Sequence, residues 1–217
     1  MVNLTFAHGL PSVIANVFTA FQRGIQPEQS RRILESGIDF IMQTRLDPTI
    51  YGSYFGFILD KEKETRGSRI AWCQGDLVMG QFLFRVGKAL DNEELAGFAR
   101  EVLLHTSRRQ SHVQSLVVDC SFCHGTAGAM HMFARAWHLS PEPEFKDAVR
   151  FWYEENLKQA RYIDGRLEFH PLRGGENTAY FKDDSLTMGS AGVGLCLLAA
   201  ATGLAPAWDE AFHLSLS

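Results

Sequence analysis

Apolar positions along the chain fall into two kinds of helical pattern that alternate. Four stretches, AHGLPSVIANVFTAF, WCQGDLVMGQFLFRV, FCHGTAGAMHMFARAW and MGSAGVGLCLLAAATGL, pass from a glycine-bearing lead-in into residues that are apolar on nearly every side. Helices of that kind are buried all round. Aligning them sets Gly9, Gly75, Gly125 and Gly192 at equivalent turns. Between them lie one-faced stretches. PEQSRRILESGIDFIMQTR carries Ile33, Leu34, Ile38, Ile41 and Met42 on one side behind Pro27. DNEELAGFAREVLLHTSRR opens with Asp91 and Glu94 in capping-box spacing, followed by Leu95, Phe98, Val102 and Leu103. SPEPEFKDAVRFWYEENLKQ opens with Ser140 and Pro141 and carries Phe145, Val149 and Trp152. The alternation predicts an all-α fold in two layers, with inner helices buried on all sides and outer helices buried on one. Equivalent lead-ins put the inner N-termini at one end. His8, Trp72 with Cys73, Cys123 with His124, and Met188 then converge on one mouth. The long connections DPTIYGSYFGFILDKEKETRGS and RYIDGRLEFHPLRGGENTAYFKDD, rich in aromatic and turn residues, predict short hairpins near the same openings.

Composition narrows the function classes. With 217 residues, 46% hydrophobic and 21% charged, the chain can bury a sizeable core as one domain and does not read as disordered. A net charge of -4 gives no basic field for nucleic acid or anionic lipid. The N-terminus lacks a basic segment before an apolar run and so does not read as a signal peptide. A cytoplasmic, reducing setting is expected, and the sequon Asn3-Leu4-Thr5 carries no meaning there. In that setting the four cysteines read as metal ligands, catalytic thiols or small buried residues rather than disulfides. The uncharged run from Leu186 to Trp208 is long enough for a bilayer but is dominated by Gly and Ala, and reads as a buried inner helix with no transmembrane segment.

The lead-ins also carry the chemistry. Cys73, Cys123 and His124 supply two thiols and an imidazole, the donor set of a three-ligand zinc site with a fourth position open. Adding Cys120 would instead close a four-ligand structural site, and a third reading leaves all of these as buried cysteines and a core histidine. GSAGVG follows no apolar strand and has the wrong glycine spacing for a dinucleotide loop, so its glycines read as helix packing. Asp183 and Asp184 read as a solvated or capping pair. Asp119 and Cys120 receive no role, and Cys196 reads as core.

SRIAWCQG, FCHGTAG and GSAGVGLCLL, with AHGLP upstream and PAWDEAFHLS at the end, resemble the C-terminal part of a lanthionine synthetase C-like protein, a lanthipeptide cyclase. The resemblance runs along essentially the whole chain. It implies one lanthionine synthetase C-like domain over residues 1–217, an (α/α) toroid of helix pairs that is incomplete here, with four inner and about three outer helices, as the C-terminal portion of a longer ring. It implies Zn2+ on Cys73, Cys123 and His124, with His8 as acid/base and Arg69 as an oxyanion or partner-holding group. The implied reaction adds a Cys thiolate to a dehydroalanine or dehydrobutyrine, forming (methyl)lanthionine rings. Its implied partners are a dehydrated precursor peptide, a lanthipeptide dehydratase, and a second chain or missing N-terminal segment that completes the ring. The alternative is a member that binds a thiol such as glutathione, or a peptide, through zinc without turnover, or an inactive remnant. Two departures stand out: Gln74 where the family usually has an aromatic residue, and no Pro near Leu77. The family's acidic catalytic residue has no counterpart in this stretch.

Overall fold

The computed structural model describes residues 1–60, 66–173 and 178–215. Parts of both long connections, 61–65 and 174–177, lie outside the described residues. The helices gather into two compact units, Met1–Ser68 with Cys73–Thr106, and Arg69–Trp72 with Ser107–Ser217.

In the first unit, β1 (Val2–Asn3) is followed by α1 (Leu10–Gln22), α2 (Pro27–Gln43), α3 (Pro48–Tyr51), β2 (Ile58–Leu59), α4 (Asp76–Ala89) and α5 (Glu93–Ser107). β1 and β2 pair antiparallel, with Val2 opposite Leu59. The first connection therefore does not form a hairpin with itself among its described residues; its strand joins the N-terminus. Helix α1 lies against α2 and α4. Phe6 and Phe18 meet Phe82 edge-on at 5.7 and 6.0 Å. Gly37 lets α2 approach α1, since a Cβ there would stand 2.4 Å from Ile14 Cδ1. The buried face of α2 is thus Leu34, Gly37, Ile38 and Ile41, while Ile33, expected on that face, is 43% exposed. Asn92, not Asp91, caps α5: its Oδ1 accepts from Leu95 N at 2.9 Å, and Asp91 sits at φ +55°, outside helical geometry. The buried Asp76 at the head of α4 accepts from Tyr54 N at 3.0 Å and Phe55 N at 2.9 Å, tying the connection to the helix start.

The second unit holds α6 (His112–Ser115), α7 (Thr126–Leu139), α8 (Pro143–Lys158), β3 (Arg161–Ile163), β4 (Arg166–Glu168), β5 (Leu172–Arg173), β6 (Ala179–Tyr180), α9 (Ser190–Thr202) and a 3-10 helix, Trp208–Phe212. Every residue of α7 from Thr126 to Phe133 is buried, the environment expected of an inner helix, and α4 is alike from Asp76 to Leu83. Helix α8 begins at Pro143, later than the Ser140-Pro141 signal, and buries one face through Phe145, Ala148, Trp152 and Asn156. Both hairpins expected of the second connection form, β3 with β4 and β5 with β6. Helix α9 is less buried than α4 and α7, as an open set of inner helices implies for a helix at its edge. Only Gly192, Val193 and Cys196 are buried in it, and Leu198 is 60% exposed, so an apolar helix presents one side uncovered. Among the described residues no helix is long and apolar enough to cross a membrane.

A buried ionic cluster ties the C-terminal 3-10 helix to α7. Asp209 accepts from Arg135 Nε and Nη2, both at 2.6 Å, and lies 2.7 Å from His131 Nε2. Burial works to raise the Asp209 pKa, yet hydrogen bonds from His131 and Arg135, with the Arg135 charge, outweigh it and hold the carboxyl below its ordinary range.

Candidate metal centre

Three of the four inner helices are entered through the same local structure. Before α7, Asp119 Oδ1 accepts from Ser121 N (3.0 Å) and Ser121 Oγ (2.8 Å), and Gly125 N then donates to Ser121 O (3.0 Å). Before α1, Asn3 Oδ1 accepts from Thr5 N and Oγ1, both at 2.8 Å, and Gly9 N donates to Thr5 O (2.9 Å). Before α9, Asp183 Oδ1 accepts from Ser185 N (2.6 Å) and Gly189 N donates to Ser185 O (3.0 Å). These are Asx turns, in which a short polar side chain replaces a backbone acceptor. The turn folds back against the capping residue. A Cβ would meet Asn3 O at 2.3 Å on Gly9, Ser121 N at 2.2 Å on Gly125, and Asp183 O at 2.1 Å on Gly189. The fourth lead-in glycine is therefore Gly189, not Gly192. Gly192 lies a turn inside α9, as Gly128 does in α7, each with a carbonyl oxygen within 2 Å of where a Cβ would stand. The second lead-in has a different basis, for Gly75 caps α4 at φ +88°, which only glycine adopts without strain.

Backbone hydrogen bonds connect the lead-ins in sequence. Ala7 N donates to Cys73 O at 3.0 Å, Trp72 N to Cys123 O at 2.8 Å, and Cys123 N to Thr187 O at 2.8 Å. An aromatic bed lies behind the cysteines. Trp72, just before Cys73, stacks on Phe122, just before Cys123, with centroids 6.0 Å apart. Phe212 meets both rings edge-on at 4.9 Å, and its carbonyl accepts from the Trp72 indole at 2.9 Å. With the Asp209 cluster fixing the 3-10 helix, the C-terminal segment underpins both cysteine-bearing turns.

The donor atoms of Cys73, Cys123 and His124 lie within 4.8 Å of one another, and each residue is half-buried. Ligand atoms around one zinc ion are about 3.3–3.8 Å apart, so this group needs only a small closure to take one. Two thiols and an imidazole are also the right chemistry for zinc, and partial exposure leaves a side open to solvent. Cys120 stands apart from this set. It is fully buried, and burial followed by the neighbouring Asp119 charge pushes its thiol up to about 12. Cys196 is buried and its thiol is likewise pushed up, first by burial.

His8 is exposed and follows Ala7, whose N–H holds the Cys73 carbonyl; its imidazole has no hydrogen bond or ion pair among the described residues. Arg69 is half-buried in the segment anchored by Ile70 N to Ser115 O (2.9 Å), and it too has no such partner among the described residues. The structure thus brings the three ligand candidates together and places neither His8 nor Arg69 in polar contact with them. It adds Asp119, given no role above: fully buried, with Oδ2 3.6 Å from His124 Nε2. The recurring Asn/Asp-x-Ser/Thr six residues before Gly9, Gly125 and Gly189 is a signal for it in the sequence.

Comparisons agree with this architecture. The model of the family described as "Lanthionine synthetase C-like protein" matches residues 1–213. Nisin cyclase superposes with a TM-score of 0.75 at 21% identity, over 98% of this chain and 50% of its own, so the chain spans about half the length of that structure. No curated protein matches by sequence.

Proposed function

We propose, from the premise that this chain belongs to the lanthionine synthetase C-like family, that it carries the zinc centre and proton donor of a thioether-forming cyclase. The observation that carries this reading is the convergence of Cys73, Cys123 and His124 on one half-buried point. The likeness in fold to a cyclase supports it. The substrate in this reading is a precursor peptide in which a dehydratase has left dehydroalanine or dehydrobutyrine, met in the cytoplasm, where the ligand thiols stay reduced.

Cys73, Cys123 and His124 would hold the ion. When bound, zinc lowers the pKa of a thiol from about 8.5 and keeps it as a thiolate at neutral pH. The rest falls to the protein. The thiolate sulfur adds to the β-carbon of the dehydro residue, its electron pair forming the new C–S bond while the C=C pair moves toward the carbonyl as an enolate. His8, exposed and without a hydrogen bond or ion pair among the described residues, donates the proton to the α-carbon. Arg69 balances the oxyanion. Holding both ends of the peptide loop in one site lowers the entropic barrier to closure.

Because the chain spans half of nisin cyclase and leaves one side of the apolar α9 uncovered, a second reading is that these residues alone bind zinc and a thiol without turning over. The single domain assigned to residues 1–217 would then be one portion of a ring completed in cis or by another chain. Both readings are tested by incubating dehydrated peptide with the protein, alone and with the complementary helix pairs, and counting free cysteines by mass spectrometry after alkylation. Cyclisation that requires the complement and falls about 10²–10⁴-fold in His8→Ala, with zinc retained, supports the first reading for the completed ring. Zinc binding with no cyclisation in either form supports the second, and an unchanged His8→Ala rate removes His8 from the mechanism.

A further inference from the structure

We infer that Asp119 is the positioning residue of the proposed metal centre, facing Nε2 of His124 and thereby leaving Nδ1 as the donor atom. The inference rests on the metal-binding reading above and adds to it the tautomer and the group that sets it.

The argument starts from what Asp119 has left to give. A carboxylate offers about four acceptor sites, and this one has no exposure to water. Its Oδ1 is occupied twice, by Ser121 N and Ser121 Oγ. Its Oδ2 takes Leu172 N at 3.3 Å and faces His124 Nε2 at 3.6 Å. A buried carboxylate oxygen with spare capacity is a strong acceptor, and a neutral imidazole has one N–H and one lone pair. The nitrogen turned toward Oδ2 therefore keeps the proton, and the lone pair lies on Nδ1. His124 N donates to Ser121 Oγ at 3.4 Å, so the main chain of the histidine belongs to the same turn as the carboxylate. A carboxylate behind a metal-bound histidine fixes ring orientation and raises ligand basicity.

The other lead-ins separate this duty from turn formation. Asn3 builds the same turn with an amide, and His8 beside it makes no hydrogen bond among the described residues. Asp183 builds it with a carboxylate, but Thr187 and Met188 stand where Cys123 and His124 would be. Among these three turns, carboxylate, thiol and imidazole coincide only in the one before α7. An amide is sufficient for the turn, as Asn3 demonstrates; the negative charge at Asp119 is what the turn itself does not require.

The test is Asp119→Asn, with Asp183→Asn as control, read out by zinc affinity in chelator competition and by the absorption spectrum of the Co(II)-loaded protein. Asparagine can keep Oδ1 in the turn while presenting an NH2 to Nε2, which favours the other tautomer. Affinity should fall about 10–100-fold with a changed Co(II) spectrum, and Asp183→Asn should match wild type. Nitrogen NMR of wild-type, zinc-loaded protein with labelled histidine should place the proton of His124 on Nε2, a measurement independent of whether Asp119→Asn folds. If wild type takes up no zinc, the metal reading falls and this inference with it. If wild type binds zinc but carries the His124 proton on Nδ1, or if Asp119→Asn equals wild type in affinity and spectrum, this inference alone is overturned.

Discussion

Asn3 to Gly9 and Asp119 to Gly125 are two copies of one turn. Each has a side-chain oxygen accepting from the backbone and hydroxyl of a Thr or Ser two residues on, a phenylalanine buried behind it, and a glycine capping the inner helix. Each sets a histidine just before that glycine. They differ at four positions, of which Asn3 against Asp119 and Ala7 against Cys123 set the chemistry around the histidine, the others being Leu4 against Cys120 and Thr5 against Ser121. In the first turn the histidine is exposed and unpaired among the described residues; in the third it sits between a buried carboxylate and two thiols. One scaffold thus presents an exposed imidazole in one place and a candidate ligand in another. The residues flanking the histidine, rather than the turn, decide which.

The largest expected effect comes from making the third turn resemble the first. Cys123→Ala recreates the Ala-His-Gly of residues 7–9. Two ligands cannot hold zinc as three do, so zinc should drop from about one ion per chain to less than about a tenth, measured by metal analysis after dialysis. Cys73→Ala should do the same. Cys120→Ala should keep its zinc, because that thiol is buried and its pKa is pushed up to about 12. Zinc kept in Cys73→Ala and lost in Cys120→Ala would overturn the ligand set.

Much of this was legible in the sequence, for identifiable reasons. Apolar-all-round against one-faced patterning separates α4 and α7 from α2 and α8, and glycine marks every inner N-terminus, so the layering and the positions of Cys73, Cys123 and His124 could be read. The errors have local causes. GSAG offers two glycines, Gly189 and Gly192, that the sequence alone does not rank; both face close backbone, and only the Asx turn shows that Gly189 caps. Ile33 lies one position off the stripe of α2, where Gly37 rather than a larger residue meets α1. The uncovered side of α9 follows from the incomplete set of inner helices that the resemblance implies, although the helix's own apolar pattern reads alike with or without a neighbour. The role of Asp119 is not legible from its letter, because a buried acid and a solvated one are written alike.

A smaller effect sharpens the comparison through stability. Asp119→Ala removes a buried acceptor from Ser121 and Leu172 and leaves their donors unpaired, and should cost about 2–4 kcal/mol. Asn3→Ala removes an exposed turn acceptor and should cost about 0.5–1 kcal/mol, on the scale of a lost helix cap. Urea denaturation of both variants without metal gives the two numbers. Equal costs would show that burial adds nothing to the third turn and that the two copies are energetically interchangeable.

The smallest effect runs the other way, making the first turn resemble the third. In Asn3→Asp the new carboxylate can accept from Thr5 N and Oγ1 as the amide does, since Asn and Asp serve about equally in such positions. Its charge lies over the N-terminus of α1, where the helix dipole favours an anion. The exposed site weakens that attraction, so stability should rise by no more than about 0.5 kcal/mol. A carboxylate stabilised in the folded state has its pKa depressed there. Its contribution is therefore full above the unfolded value of about 3.9 and is lost as pH falls through the folded value. The difference between Asn3→Asp and wild type should accordingly be present at pH 7 and absent near pH 2. Zinc content should not change, because Ala7 still supplies no thiol. A loss of more than about 1 kcal/mol at pH 7 would show that the first turn needs an amide specifically. A second zinc ion would show that a carboxylate and a histidine suffice on this scaffold, and that Cys123 is not what separates the two turns.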